Sequence, residues 1–210
     1  MDFIIDEKTF KGHDKYLTIM QLIADPSIDV STNTDFRKAY SGYYFPTPIA
    51  QSFKDLYFAL MQRCRFECLS YYAVLEDLYN LSGCVHYSFA SKLLHTVNAN
   101  NPVLDRHIMR FMGYELIPPQ SIQSSHPDYQ NKKRDDAVKR MQYYSEAFHT
   151  ISLEYEKFKN APFMIEAIER FDAFSEEYRS ISYAKKVDMM LFRLREGRSI
   201  SILDYLEATH

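Results

Sequence analysis

Hydrophobic residues recur at intervals of three and four along most of the chain, which is the period of an amphipathic helix. The clearest runs lie at 48–80, 89–97, 104–112, 137–158, 162–178 and 183–195. Glycine is scarce, with 5 residues, and we find no convincing run of alternating apolar and polar side chains that would predict a strand. The pattern therefore predicts an all-α fold.

Breaks in this pattern indicate how the helices are arranged. The run from 48 to 80 is long for one globular helix, so we expect it to break near 68–71. Residues 115–130 hold prolines among serine and glutamine and are the best linker candidate. We therefore predict a single helical domain over 1–210, with a possible lobe boundary at about 115–130.

The run at 137–158 has the spacing of a heptad seam, with alternating steps of four and three residues. Such a seam packs either within the bundle of its own chain or against a second copy in a coiled coil. We favour packing within the chain, and hence a monomer over a homodimer.

Composition narrows the class of protein. The hydrophobic content of 46% and the net charge of −3 are ordinary for a soluble globular protein, and no general positive charge draws the chain to nucleic acid. Cys64 and Cys68 are four residues apart, so on one helix they would share a face, and with Cys84 they predict buried thiols in a reducing cytoplasm. We find no membrane-spanning window and expect no membrane partner.

The segment 81–113 carries the clearest chemical signal. A turn containing Gly83 separates two apolar helical runs. About twenty residues later, after Pro102, Asp105 opens a further amphipathic run. Backbone N–H groups in such a turn, and at the next helix N-terminus, can bind a phosphate where glycine permits close approach. A carboxylate at Asp105 could stabilise an oxocarbenium-like sugar or activate a water. A plain helix cap is the alternative interpretation of Asp105.

This order of elements resembles the helix-hairpin-helix DNA glycosylase superfamily, whose motif is a hairpin, a Gly/Pro-rich loop and an aspartate. The resemblance is clearest in Ala90-Ser91-Lys92-Leu93-Leu94 and in Pro102-x-x-Asp105-x-His107-Ile108. It implies a two-lobed helical assembly that removes a base flipped out of duplex DNA, with Asp105 as the catalytic residue. The DNA-binding residues that it indicates are Gly83, Cys84, Val85, His86, Tyr87, Ser88, Lys92 and His107.

The chain departs from the family pattern at two positions. The second hairpin glycine falls on Val85 or His86, and the lysine of the strand-cleaving members falls on Tyr87 or Ser88. We therefore predict at most a glycosylase without strand cleavage. The alternative is a non-enzymatic helical module that binds DNA or another protein. No cofactor is expected, since the chain has no nucleotide-binding or four-cysteine motif.

Three other groups of residues suggest chemistry less strongly. His86, His95 and His107 have no metal-site spacing, so we predict no metal. The chain has one basic triplet, at 132–134, and two basic pairs, at 139–140 and 185–186. We interpret them as solvated helix surface or, if DNA binds, as phosphate contacts. The aromatic run at 40–45 would either stack on bases or pack on its own core. The final helix, which begins near Ser182, could dock against the Asp105 loop.

Overall fold

A computed structural model of the chain describes residues 3–194 apart from Pro46 and Ser175. These residues form nine α-helices and two short 3-10 helices and contain no strand, which confirms the predicted all-α class. The 3-10 helices are Glu7–Phe10 and Glu176–Ser180. The α-helices are α1 (His13–Ala24), α2 (Thr34–Tyr44), α3 (Gln51–Cys64), α4 (Tyr71–Ser82), α5 (Tyr87–Val97), α6 (Arg106–Phe111), α7 (Tyr129–Phe158), α8 (Pro162–Phe174) and α9 (Tyr183–Leu194).

Local capping explains why the predicted helix breaks where it does. Helix α3 ends at Cys64, and Ser70 begins α4 by accepting a hydrogen bond from the Ala73 N–H at 3.2 Å. The break predicted near 68–71 is thus confirmed. Cys68 lies in the connection between the helices, so Cys64 and Cys68 do not share a helix face. Cys64 is buried but Cys68 and Cys84 are exposed, so two of the three thiols are not the buried residues expected.

The long helix α7 buries its heptad seam inside this chain. Six of the seven seam residues are almost fully buried, namely Ala137, Met141, Tyr144, Ile151, Tyr155 and Phe158. The seventh, Phe148, is half-buried, and its ring stacks on Tyr71 of α4 with centroids 4.2 Å apart. Packing within the bundle is therefore confirmed as the role of this face, since a seam covered by its own chain is not available to a second copy.

The aromatic run at the end of α2 packs into the core. Tyr40, Tyr44 and Phe45 are buried, and the Tyr40 hydroxyl lies 2.7 Å from the hydroxyl of Tyr57 on α3. Tyr57 in turn donates a hydrogen bond to the Phe89 carbonyl of α5 at 2.8 Å. Of the two interpretations of this run, packing on its own core is the one observed.

The segment between α6 and α7 is irregular but anchored. The Ile117 N–H donates to the Tyr144 hydroxyl at 3.1 Å, and the Tyr143 hydroxyl donates to the Glu115 carbonyl at 2.8 Å. Both tyrosines belong to α7, so this segment follows the surface of that helix. Within residues 3–194, apart from the two omitted positions, no helix is long and apolar enough to cross a membrane.

Candidate functional site

Helices α4 and α5 and the turn at 83–86 form an αα-hairpin, called here the 71–97 hairpin. Gly83 ends α4 in the left-handed conformation, with φ of +69°, and its N–H donates to the Tyr79 carbonyl at 2.7 Å. A side chain at this φ would be strained, so glycine is required by the backbone of the turn. The glycine predicted to open the turn therefore has the expected geometry.

Two N–H groups of the turn already have partners within the chain. Besides the Gly83 N–H, the Cys84 N–H donates to the Ser82 hydroxyl at 3.2 Å. The first-turn N–H groups of α5, on Tyr87, Ser88 and Phe89, form no hydrogen bond with another described residue. Donors for a phosphate are thus found at the helix N-terminus, where they are normally unpaired, and not at Gly83 or Cys84.

The side chains of the turn mostly face the protein. The His86 ring lies between Phe53 and Phe89, with centroid distances of 5.0 and 5.4 Å, and its burial lowers its pKa. The Tyr87 ring stacks on Tyr144 at 4.5 Å. Val85 and Ser88 are half-buried, and Cys84 is exposed. A neutral His86 adds no positive charge for a phosphate at pH 7.

A lysine from α7 supplies positive charge beside the turn. The Lys133 Nζ atom lies 3.5 Å from the position that a Cβ on Gly83 would occupy. Its neighbours in the basic triplet have other contacts, since Arg134 pairs with Glu76 at 3.5 Å and Lys132 contacts His126 at 3.0 Å. Lys133 forms no ion pair with a described residue, which leaves its charge available to an anion at the turn.

Asp105 is the N-cap of α6. Its carboxylate accepts hydrogen bonds from the His107 N–H at 2.7 Å and the Ile108 N–H at 2.9 Å. The side chain is half-buried. The Asp105 charge opposes the lowering of the Lys92 pKa that burial causes, and it helps to raise the pKa of Asp188. The carboxylate is therefore held rigidly within electrostatic reach of α5 and α9.

The two other residues predicted near Asp105 lie beside aromatic side chains. The Lys92 side chain is half-buried, with its Nζ 5.8 Å from the centre of the Tyr44 ring and 5.5 Å from that of Phe89. The His107 ring lies edge-on to Phe192 at 6.1 Å. The structure thus brings Gly83 and Lys133 together at one end of the hairpin, while Lys92 belongs to the interior beside Asp105.

The loop before Asp105 is fastened to α5. The Leu104 N–H donates to the Ser91 hydroxyl at 2.8 Å. His95 Nδ1 lies 2.6 Å from the Asn101 carbonyl, which can only accept, so this nitrogen carries the proton and donates. His95 Nε2 then accepts from the Tyr16 hydroxyl at 3.0 Å. These contacts fix the backbone that leads to the cap.

The same loop is fastened to α9. The Val103 N–H donates to the Asp188 carboxylate at 3.2 Å, and the Ser182 hydroxyl donates to the Ala99 carbonyl at 2.6 Å. The expectation that the final helix docks against the Asp105 loop is confirmed. Sequence analysis did not identify Asp188 as a partner, because residue type and spacing do not show where a helix face is directed.

Lys185 and Lys186 are buried, so their interpretation as solvated surface or phosphate contacts is wrong. Lys186 pairs with Asp172 of α8 at 2.5 Å. Lys185, only 6% exposed, places its Nζ 4.9 Å from the centre of the Tyr16 ring and 5.2 Å from that of Tyr43. The faces of tyrosine rings attract a cation, and this attraction offsets part of the free energy that is needed to remove the Lys185 ammonium from water.

A cavity lies between α1 and the segment that precedes α9. It has a volume of about 450 Å³ and is lined by Tyr16, Leu17, Met20, Gln21, Ala99, Ser180, Ile181 and Ser182. Neither Asp105 nor the turn lines it.

No set of metal ligands is formed by the described part of the chain. His86, His95 and His107 have separate surroundings, and no group of three His, Cys, Asp or Glu side chains there is arranged to hold a metal. Comparison with protein-family models, with curated proteins and with solved structures finds no match in any of the three.

Proposed function

We propose that this protein is DNA-glycosylase-like, binding duplex DNA through the 71–97 hairpin and hydrolysing the N-glycosidic bond of a flipped base with Asp105. In this proposal the helices form the two-lobed assembly of the helix-hairpin-helix class, and the protein acts as a monomer in the cytoplasm. The supporting observation is the connection between hairpin and carboxylate, since Ser91 of α5 holds the Leu104 N–H at 2.8 Å.

In this reaction Asp105 would act as a carboxylate that stabilises positive charge or accepts a proton. As the base leaves, positive charge develops on the sugar, and a carboxylate beside it stabilises that charge or takes a proton from the attacking water. The water supplies the hydroxyl that replaces the base on the sugar. Two backbone N–H groups hold the carboxylate in one orientation, so little reorganisation is needed when a substrate binds.

The test is release of a base from a panel of damaged and mispaired duplexes, measured as abasic sites. We expect Asp105→Asn to lower the release rate about a hundredfold, the lower end for removing a general base. Asparagine is a good N-cap, so the variant should remain folded. The matched control is Asp29→Asn, at an exposed turn before α2 where the carboxylate likewise accepts a backbone N–H, that of Ser31 at 2.9 Å, and this variant should leave the rate unchanged. Base release that survives in Asp105→Asn would contradict the assignment.

A second candidate is a non-enzymatic module that binds DNA or another protein. It is favoured by the two N–H groups that Asp105 already caps, because a helix cap gives this carboxylate a role without any ligand. Salt-sensitive DNA binding without base release on any duplex would select DNA binding by this module. Absence of both binding and release would leave protein interaction.

Lys133 offers a separate test of DNA binding. We expect Lys133→Gln to weaken binding several-fold on every duplex and to reduce the slope of log K against log salt by about 1, because one phosphate contact is lost. The control is Lys132→Gln, whose ammonium contacts His126 instead of facing Gly83. Equal losses in the two variants, measured by fluorescence anisotropy at several salt concentrations, would show that the turn is not the phosphate site.

A further inference from the structure

Asp188 is a buried carboxylate that forms no ion pair within the described part of the chain. It is 6% exposed, and no described Lys, Arg or His side chain forms an ion pair with it. Burying an ionised carboxylate is costly unless hydrogen bonds satisfy it. Here the Tyr155 hydroxyl donates to one oxygen at 2.8 Å and the Val103 N–H donates to the other at 3.2 Å.

These two hydrogen bonds join three parts of the molecule. Asp188 belongs to α9, Tyr155 to α7, and Val103 to the loop two residues before Asp105. The next N–H along the loop, that of Leu104, is held by Ser91 of α5. Two consecutive backbone donors are thus fixed from two different helices, and this determines the direction in which the chain enters the Asp105 cap.

We propose that Asp188 is a positioning residue for Asp105, setting the place of the proposed catalytic carboxylate by holding the Val103 N–H. The expected effect on the rate of base release rests on the function proposed above. The position of the loop can be measured even if the protein releases no base. A displacement of about 1 Å at a reacting group can cost up to a hundredfold in rate. A partial loosening of one hydrogen bond should therefore cost less than removal of Asp105.

Protonation of Asp188 should make its positioning of the loop depend on pH. Burial raises the pKa of Asp188 to about 7. The groups that act on it are Lys185 of its own helix, Tyr155 of α7, Asp105 at the α6 cap and the Val103 N–H. A neutral carboxyl holds an N–H about half as strongly as a carboxylate does. The hold on the loop should thus weaken below about pH 7, and Asp188→Asn, which is neutral at every pH, should mimic that state.

The experiment compares Asp188→Asn with Asp172→Asn. Asp172 of α8 pairs with Lys186, which lies on α9 two residues before Asp188. The Asp172 carboxylate has no contact with the loop before Asp105, so its removal reports general damage to α9. We expect Asp188→Asn to slow single-turnover base release about tenfold, to keep the Kd for DNA within twofold, and to lose the inflection near pH 7. Asp172→Asn should keep both the rate and the inflection. Unchanged kinetics in Asp188→Asn, or the same loss in Asp172→Asn, would overturn the proposal.

A wild-type protein that releases no base would contradict the proposed function and not the positioning role. The same variants are then compared by amide hydrogen exchange. We expect exchange at Val103 and Leu104 to rise at least tenfold in Asp188→Asn and to stay unchanged in Asp172→Asn. Identical exchange in all three proteins would rule the positioning role out.

Discussion

Truncation of Phe171 to alanine is expected to lower the free energy of unfolding by about 3–5 kcal/mol, the range for a fully buried phenylalanine. Phe171 is 0% exposed on α8, and its ring centre lies 4.8 Å from that of Phe10. The Lys186 ammonium lies 5.8 Å from the same ring centre. Removal of the ring therefore leaves a cavity where the N-terminal segment, α8 and α9 meet.

The matched control for this truncation is Phe174→Ala on the same helix. Phe174 also stacks on Phe10, at 4.4 Å, but is 44% exposed. We expect it to cost about 1 kcal/mol, because little apolar surface is removed from a buried environment and water can fill the space. Urea unfolding followed by circular dichroism measures both variants. Equal losses would mean that the interface of α8 with Phe10 is not the buried core described here.

Stability is expected to fall on mild acidification because two histidines are buried in the neutral form. Burial lowers the pKa of His95 to about 3 and that of His13 to about 4, and the charge of Lys185 acts in the same direction. In the unfolded chain both titrate near pH 6.5. Between these values the unfolded state binds more protons, so each histidine removes about 1.4 kcal/mol of stability per unit of falling pH.

Asp188 acts with the opposite sign over the same range. Its pKa is raised to about 7, so in the folded state it takes up a proton that the unfolded state binds only near pH 4. One of the two histidine contributions is thereby offset. The net expectation from these three groups is a loss of about 1.4 kcal/mol per pH unit, or about 3 kcal/mol between pH 6.5 and 4, and the lowered pKa of His86 adds to this loss.

Two variants separate these contributions in urea unfolding at a series of pH values. His13→Phe removes one histidine whose Nε2 has no described partner and should reduce the loss by about 1.4 kcal/mol per pH unit. Asp188→Asn removes the opposing group and should increase the loss by about 1.4 kcal/mol per pH unit. A His13→Phe profile as steep as that of the wild type would show that His13 is not held neutral in the fold.

Much of the helical framework could be read from the sequence, because helix ends depend on neighbouring residues. The left-handed Gly83 ends α4, Ser70 begins it, and Asp105 caps α6, each by hydrogen bonds that span four residues or fewer. Such short-range contacts are set by residue type and spacing. The order of hairpin, loop and aspartate was accordingly visible before any tertiary contact was known.

Only the tertiary structure decided what each helix face meets. Lys185 and Asp188 have the residue types of a solvated surface, yet α9 is enclosed by neighbouring elements, and both residues are buried against tyrosines from distant parts of the chain. The contact of Lys133 with the hairpin turn likewise joins residues far apart in sequence. Periodicity shows that a residue lies on one side of a helix, but which element covers that side depends on the packing of the whole chain. For that reason the sequence indicated Asp105, and the fold alone showed how Asp188 holds the loop before it.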